Sequence, residues 1–139
     1  MGKNMLTEHF SLEELIRTTH KQIVNIPDEA GVIGLTEICR EVLEPLRTRV
    51  GGPIKVSSGY RTKELNLVVG GSKNSQHVAN ELWAAVDIDQ GTKEQNKAIF
   101  DLIERFAEFD QLINEKDYSW IHVSYRTDGK NRMQVLNLP

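Results

Sequence analysis

The sequence predicts an α+β fold in which helices pack on a mainly antiparallel sheet. Two observations favour this class: patterns of helical period occupy most of the first half of the chain, and short strand-like patterns are grouped in the second half. A length of 139 residues with 39% hydrophobic content suits one hydrophobic core. We therefore expect a single domain over residues 1–139.

The helical patterns begin near the N-terminus. A capping box opens at Ser11 and predicts a short helix there. A polar loop over residues 25–30 is expected next. Apolar residues then recur at spacings of three and four from Ile33, which predicts a central helix that ends near Gly51 and is kinked or broken at Pro45. Two more helices are predicted, over residues 62–69 and 92–106.

The strand patterns lie mostly after the predicted loop at residues 70–76. Residues 53–59 alternate and predict a strand that runs into a turn. Residues 82–88 are apolar up to Asp87, which predicts a buried strand with a carboxylate near its end. Three further strands are predicted, over residues 109–114, 120–125 and 133–138.

Composition excludes several kinds of function. The net charge is −3 and there is no Lys/Arg-rich run, so a nucleic-acid partner is not expected. The polar N-terminus does not resemble a secretory signal, and no apolar run reaches membrane-spanning length. We expect synthesis in the cytoplasm, no membrane insertion and a monomer. Cys39 is the only cysteine and is expected in the core.

Three residues are candidates for a metal site. Asp87 follows an apolar run, where an unpaired charge costs several kcal/mol unless a cation neutralises it. His77 follows a Gly-rich loop, and His122 lies within a strand pattern. Two imidazoles and a carboxylate form the three-ligand set of catalytic zinc sites. The alternative is a core aspartate that bonds backbone amides beside two structural histidines.

Several sequence blocks, in this order along the chain, resemble the zinc D-Ala-D-Ala carboxypeptidase family. The blocks are Ser-Gly-Tyr-Arg-Thr at 58–62, Glu-Leu-Asn at 64–66, Val-Gly-Gly-Ser at 69–72, Ser-Gln-His at 75–77, Ala-Val-Asp-Ile at 85–88 and Trp-Ile-His-Val-Ser-Tyr at 120–125. That family shares its fold with hedgehog-type domains and has small single-domain members among phage endolysins. The resemblance implies a hedgehog/DD-peptidase-like fold and a peptidoglycan peptide as substrate.

Carried over by position, the resemblance implies one zinc ion held by the three candidate ligands His77, Asp87 and His122. It also implies that Arg61 holds a substrate carboxylate or carbonyl, which suits the bidentate geometry of a guanidinium. Ser75 is expected to orient the site through its hydroxyl, with a simple turn residue as the alternative.

The sequence departs from the family pattern between the first two implied ligands. Family members usually have His-x-x-Gly-x-Ala-x-Asp, whereas the segment from His77 to Asp87 is three residues longer and has no glycine. Such an insertion is cheap in loop entropy, so the site is expected to survive. Trp83 within it is either a wall of the substrate site or a new core contact.

The catalytic base is also displaced. Many relatives carry an acid three residues before the last histidine, where this chain has Ser119. Glu115 is the first candidate for the base and Asp117 the second, and the alternative for both is a solvated turn carboxylate before the final hairpin.

Together these observations predict a zinc-dependent peptidase, of D,D-carboxypeptidase or endopeptidase type and endolysin-like, that hydrolyses a peptide bond in bacterial cell-wall stem peptides. The alternatives are a catalytically silent wall-binding module of the same fold and a cytosolic D-Ala-D-Ala dipeptidase.

Overall fold

A computed structural model describes residues 4–139, and over this range the chain forms five α-helices, one π-helical turn and a five-stranded sheet. The helical elements are α1 (Leu12–Ile16), α2 (Glu29–Ile38), the π turn (Cys39–Leu43), α3 (Glu44–Val50), α4 (Lys63–Val68) and α5 (Lys93–Phe106).

The strands are β1 (Val56–Ser58), β2 (Trp83–Ile88), β3 (Gln111–Glu115), β4 (Trp120–Arg126) and β5 (Gln134–Leu138). They lie in the order β1-β2-β4-β3-β5. Every pairing is antiparallel except that of β3 with β5, which is parallel. The predicted α+β class with a mainly antiparallel sheet is confirmed.

Three helices begin where the sequence indicated, because each has a side-chain cap. The hydroxyls of Ser11, Thr62 and Thr92 accept hydrogen bonds from backbone amides three residues further on. Helix α2 begins four residues before the predicted Ile33. The reason is Asp28, whose carboxylate accepts from the Gly31 amide at 2.8 Å and so ends the predicted loop early.

The central helix is locally interrupted near the proline, as predicted, by the π turn between α2 and α3. The π turn ends two residues before Pro45, and the amide of Glu44, which follows the turn, donates to the Cys39 carbonyl five residues back. Proline has no amide hydrogen, and its ring clashes with the carbonyl four residues earlier, so the preceding turn widens. Cys39 is buried in the core, also as expected.

The core lies on one face of the sheet, under α2 and α5. Ala84, Val86 and Ile88 of β2 belong to it, as do Ile121 and Val123 of β4. Successive side chains of a strand point to opposite faces. The residues between these core positions therefore point to the other face of the sheet, away from α2 and α5.

Across residues 4–139, no helix combines the length and apolar character needed to cross a membrane.

Candidate metal centre

Two of the three predicted metal ligands are neighbours in the sheet. Asp87 of β2 and His122 of β4 are directly opposed residues of an antiparallel pair, and both lie on the face away from α2 and α5. Ser58 of β1 and Ile113 of β3 extend the same row on either side. Residues directly opposed in this way have Cβ atoms about 5 Å apart, close enough for their side chains to meet.

The third predicted ligand, His77, comes from the loop after α4 and is held by Gly59, the residue that follows β1. Its Nδ1 lies 2.7 Å from the carbonyl oxygen of Gly59. Because a carbonyl only accepts, Nδ1 carries a proton, which leaves Nε2 as the nitrogen that faces Asp87 and could bind a metal, the arrangement that outer-shell carbonyls give to metal-binding histidines. Only glycine fits at position 59, since a Cβ there would lie 2.3 Å from the carbonyl oxygen of Leu15.

Ser75 also acts on this loop. Its hydroxyl accepts a hydrogen bond from the backbone amide of His77 at 3.1 Å, which fixes the turn that carries the imidazole. The carbonyl of His77 in turn accepts from the Arg61 amide at 2.9 Å. The loop of the first ligand and the segment of the arginine are thus joined through their backbones.

The three side chains converge on one point. Asp87 Oδ1 lies 3.2 Å from His77 Nε2 and 3.1 Å from His122 Nδ1. All three donor atoms lie within 4.8 Å of one another, and the two imidazole rings meet edge to face at 5.1 Å between centroids. Each side chain is no more than 12% exposed.

The electrostatics keep Asp87 ionised. Burial by itself raises the pKa of this carboxyl, but the charge of His77 and the hydrogen bonds from both imidazoles lower it far below its ordinary value. An anionic oxygen therefore faces two imidazole nitrogens in a site almost closed to solvent.

The donor set suits zinc. Imidazole nitrogen and carboxylate oxygen are ligands that Zn²⁺ takes in catalytic sites, where three protein ligands leave a fourth position for water or substrate. A cation here would also neutralise the buried carboxylate. His77, Asp87 and His122 are the residues that can hold it.

Arg61 lies beside this centre. Its guanidinium is 3.5 Å from Asp87 Oδ2 and 3.3 Å from Asn66 Oδ1, and the side chain is 16% exposed. Burial lowers the pKa of Arg61, while the charges of Asp87 and Glu115 act in the opposite direction. Asp87 therefore presents Oδ1 to the two imidazoles and Oδ2 to the guanidinium of Arg61.

Two asparagines that the sequence analysis did not select position Arg61. Asn66 accepts from the guanidinium and donates to the Ser72 carbonyl at 2.8 Å. Asn25 donates to the carbonyl of Tyr60 at 2.8 Å and accepts from the amide of Thr62 at 2.9 Å, so it clamps both sides of Arg61. Asn66 lies in the Glu-Leu-Asn block of the family resemblance, so the sequence offered a signal for it. Asn25 lies in the predicted polar loop, and no sequence feature indicated its role.

The charges of this centre act on Glu115. It ends β3 on the same face as Ile113, by strand alternation. Burial raises the pKa of Glu115, and the charge of Asp87 adds to this, against the opposing effect of His122 and His77. The Glu115 carboxylate is thus electrostatically coupled to the metal-site residues, and its pKa is raised, which is the direction that suits a general base.

The other two positions considered for the base have different surroundings. Asp117 is 74% exposed and pairs with Lys93 of α5. The hydroxyl of Ser119 donates to the Lys116 carbonyl at 2.6 Å.

The longer segment between the first two ligands folds back on itself. The side chain of Asn80 accepts from the amides of Leu82 and Trp83 at 2.8 and 3.1 Å. The indole N–H of Trp83 donates to the Val78 carbonyl at 3.2 Å, and Arg126 lies over the ring. The added residues therefore form a closed turn, and the two anchors still bring His77 and Asp87 together.

The fold and the cluster of His77, Asp87 and His122 define the class of site: a candidate metallohydrolase centre built on a sheet. A family model described as Peptidase M15 matches residues 8–124, a range that contains all three donors, Arg61 and Glu115. The chain belongs to this family of zinc peptidases, whose members act on peptidoglycan. No curated protein matches the chain significantly.

Proposed function

We propose that this protein is a zinc-dependent peptidase that hydrolyses a peptide bond in peptidoglycan stem peptides, as a D,D-carboxypeptidase or endopeptidase. In this proposal His77, Asp87 and His122 hold one zinc ion, Glu115 is the base and Arg61 binds substrate. Ser75 orients the first ligand.

One observation carries the proposal: Asp87 offers one oxygen to two buried imidazoles and the other to a guanidinium. Most side-chain hydrogen bonds in proteins go to the backbone or to water. Here all three partners are side chains of types that bind metals or carboxylates.

The chain's own residues have separate tasks in this reaction. A zinc ion at the three donors supplies Lewis-acid activation of water and of the substrate carbonyl. Glu115 accepts the proton of the attacking water as the new C–O bond forms. It then delivers that proton to the amine nitrogen as the C–N bond breaks. Arg61 binds a substrate carboxylate through two parallel hydrogen bonds.

The test is cleavage of a synthetic stem pentapeptide ending in D-Ala-D-Ala, with released alanine as the readout, and of purified sacculi analysed by mass spectrometry. Chelator should abolish cleavage and added zinc should restore it. Activity indifferent to both would contradict the proposal. Absence of any cleavage by the zinc-loaded protein, with retained binding to sacculi, would favour the silent wall-binding module.

Comparing the pentapeptide with its C-terminally amidated form separates carboxypeptidase from endopeptidase activity. If Arg61 binds the terminal carboxylate, amidation of the pentapeptide C-terminus should reduce cleavage strongly, and the enzyme is a carboxypeptidase. Equal cleavage of both forms indicates an endopeptidase. Free D-Ala-D-Ala cleaved in preference to the pentapeptide would instead indicate a dipeptidase.

The endolysin-like character and the cytoplasmic synthesis stay predictions. An endolysin should clear a suspension of bacteria whose membranes have been permeabilised, and it should not lyse intact cells that express it without a membrane-disrupting partner. Lysis by the internal protein alone would contradict this.

A further inference from the structure

Asp110 is a fully buried carboxylate outside the candidate metal centre. It lies immediately before β3, and its side chain accepts four hydrogen bonds. The donors are the Arg132 amide at 3.0 Å, Arg132 Nε at 3.0 Å, Arg132 Nη2 at 2.8 Å and Gln76 Nε2 at 2.8 Å. We call Gln76, Asp110 and Arg132 the Asp110 junction.

One end of the Asp110 junction touches the metal-site loop. Gln76 directly precedes His77, the only one of the three donors that comes from a loop rather than from the sheet. The amides of His77 and Val78 are bonded to the hydroxyl and the carbonyl of Ser75. Within this short turn, the Gln76 side chain bonds Asp110, just before β3.

The other end lies in the C-terminal segment. Arg132 follows the end of β4 and comes after residue 124, where the family match stops. The same segment is anchored to the residues just before β3, because the amides of Met133 and Gln134 donate to the carbonyls of Phe109 and Asp110. The C-terminal segment therefore contributes the Arg132 guanidinium that balances the buried charge of Asp110.

The charges explain why the three residues act together. A buried carboxylate without a partner is strongly unfavourable, and a bidentate guanidinium is its best compensation. With Arg132 in place, Asp110 stays ionised and holds the amide of Gln76 by a charge-assisted hydrogen bond. Without Arg132 the carboxylate would be protonated or would rearrange, and its hold on Gln76 would weaken.

We propose that Arg132, acting through Asp110 and Gln76, positions the loop of His77 and so pre-organises the metal centre. The three members of the Asp110 junction are positioning residues, and they contact neither metal nor substrate. The proposal rests on the proposed function only for its consequence, zinc affinity. Its structural part holds in the metal-free protein as well.

The structural part is tested by amide hydrogen exchange in the metal-free, full-length protein. Gln76→Leu removes the bond to Asp110 and keeps the volume of the side chain. We expect the His77 and Val78 amides to exchange roughly tenfold faster, the effect of losing one hydrogen bond to a charged group. Amides of β2 should be unchanged. Unchanged exchange at His77 and Val78 would overturn the proposal.

The consequence is tested by zinc affinity, measured by competition with a chromophoric chelator. Gln76→Leu and Arg132→Met should each weaken zinc binding about 10-fold or more, as loss of outer-shell partners usually does. The double variant should lose little more than the worse single variant, because both act through one carboxylate. Arg132→Lys keeps a charge beside Asp110 and should fall between wild type and Arg132→Met.

Gln134→Ala is the matched control. Gln134 lies two residues from Arg132, and within residues 4–139 its side chain bonds only Gln111 on the surface, so zinc affinity should stay at the wild-type value. Zinc affinities within twofold of wild type in Gln76→Leu, or fully multiplicative losses in the double variant, would overturn the proposal. A wild-type protein that binds no zinc would overturn the proposed function and leave the exchange result to decide the positioning role.

Discussion

Asp87 and His122 are directly opposed residues on neighbouring antiparallel strands, and their side chains meet at 3.1 Å. Strand register thus sets the spacing of two of the three donors, while a loop has to supply only His77. A sheet is a rigid support, so the spacing of these two donors is fixed before the loop is placed. Five predictions follow from this arrangement and its surroundings.

Asp87→Asn should abolish zinc binding while the protein still folds, because the amide keeps the shape of the side chain but loses the charge that attracts the cation. In the wild type, zinc at 100 times its dissociation constant should raise the free energy of unfolding by about 2.7 kcal/mol. Thermal unfolding with and without zinc measures both effects. An equal stabilisation of wild type and variant by zinc would contradict this assignment.

Glu115→Gln should lower kcat about 100-fold or more, the usual contribution of a general base, with zinc content unchanged. The amide cannot take the water proton. Asp117→Asn is the control, since Asp117 is exposed and pairs with Lys93, and its kcat should equal that of the wild type. The opposite result, a large loss in Asp117→Asn and none in Glu115→Gln, would exchange the roles of the two acids.

Arg61→Lys should raise KM for the pentapeptide while the zinc affinity changes little. Lysine keeps the charge near Asp87 but cannot form two parallel hydrogen bonds to a carboxylate. A loss of about 2 kcal/mol in substrate binding, roughly 30-fold in KM, is expected for a charged hydrogen bond. Steady-state kinetics on the pentapeptide measure it. An unchanged KM would remove Arg61 from substrate recognition.

Gly34→Ala should destabilise the protein by about 3 kcal/mol, the upper range for overpacking. A Cβ there would lie 2.2 Å from the carbonyl oxygen of Asn80 and 2.6 Å from that of Trp83, in the closed turn before β2. Urea unfolding measures the change. Gly52→Ala is the control, because a Cβ there meets no atom of residues 4–139 within 4 Å and the stability of the variant should be close to wild type. Equal stabilities for the two variants would show that the turn does not pack tightly on α2.

Asp110 should make the protein acid-labile. Burial raises the pKa of Asp110, but the hydrogen bonds from Arg132 and Gln76 lower it to about 2 in the folded protein, against about 3.9 in the unfolded chain. A carboxyl with a depressed folded-state pKa stabilises the fold above its unfolded pKa, and this contribution is lost as the pH falls through the folded value. Between about pH 4 and pH 2 the loss amounts to about 2 kcal/mol.

The check is urea unfolding of the metal-free protein over this pH range, compared with Asp110→Asn. The asparagine variant should be less stable at neutral pH and should lose about 2 kcal/mol less on acidification. Parallel pH profiles for the two proteins would show that Asp110 does not gain its stability from ionisation.

Local features of the sequence were enough to predict most of the elements. Capping residues such as Ser11 and Thr62, the break at Pro45 and the apolar run that ends at Asp87 each act within a few residues of chain. The helix that begins at Glu29 was missed at its start, because Asp28 was assigned to a polar loop and its role as a cap depends on one hydrogen bond to Gly31.

The candidate site shows the same division. The identities of His77, Asp87, His122 and Arg61 were available from residue type and sequence blocks, since metal and carboxylate chemistry restrict which side chains can serve. The order β1-β2-β4-β3-β5, which places Asp87 against His122, is a property of the folded sheet. So are the clamp of Asn25 on Arg61's neighbours and the bond of Arg132 to Asp110, because hydrogen bonds between residues 22 to 37 positions apart leave no periodic trace in the chain. The sequence by itself determined the local helices and strands and which metal-binding and carboxylate-binding side chains are present. Long-range packing alone decided which of these groups meet.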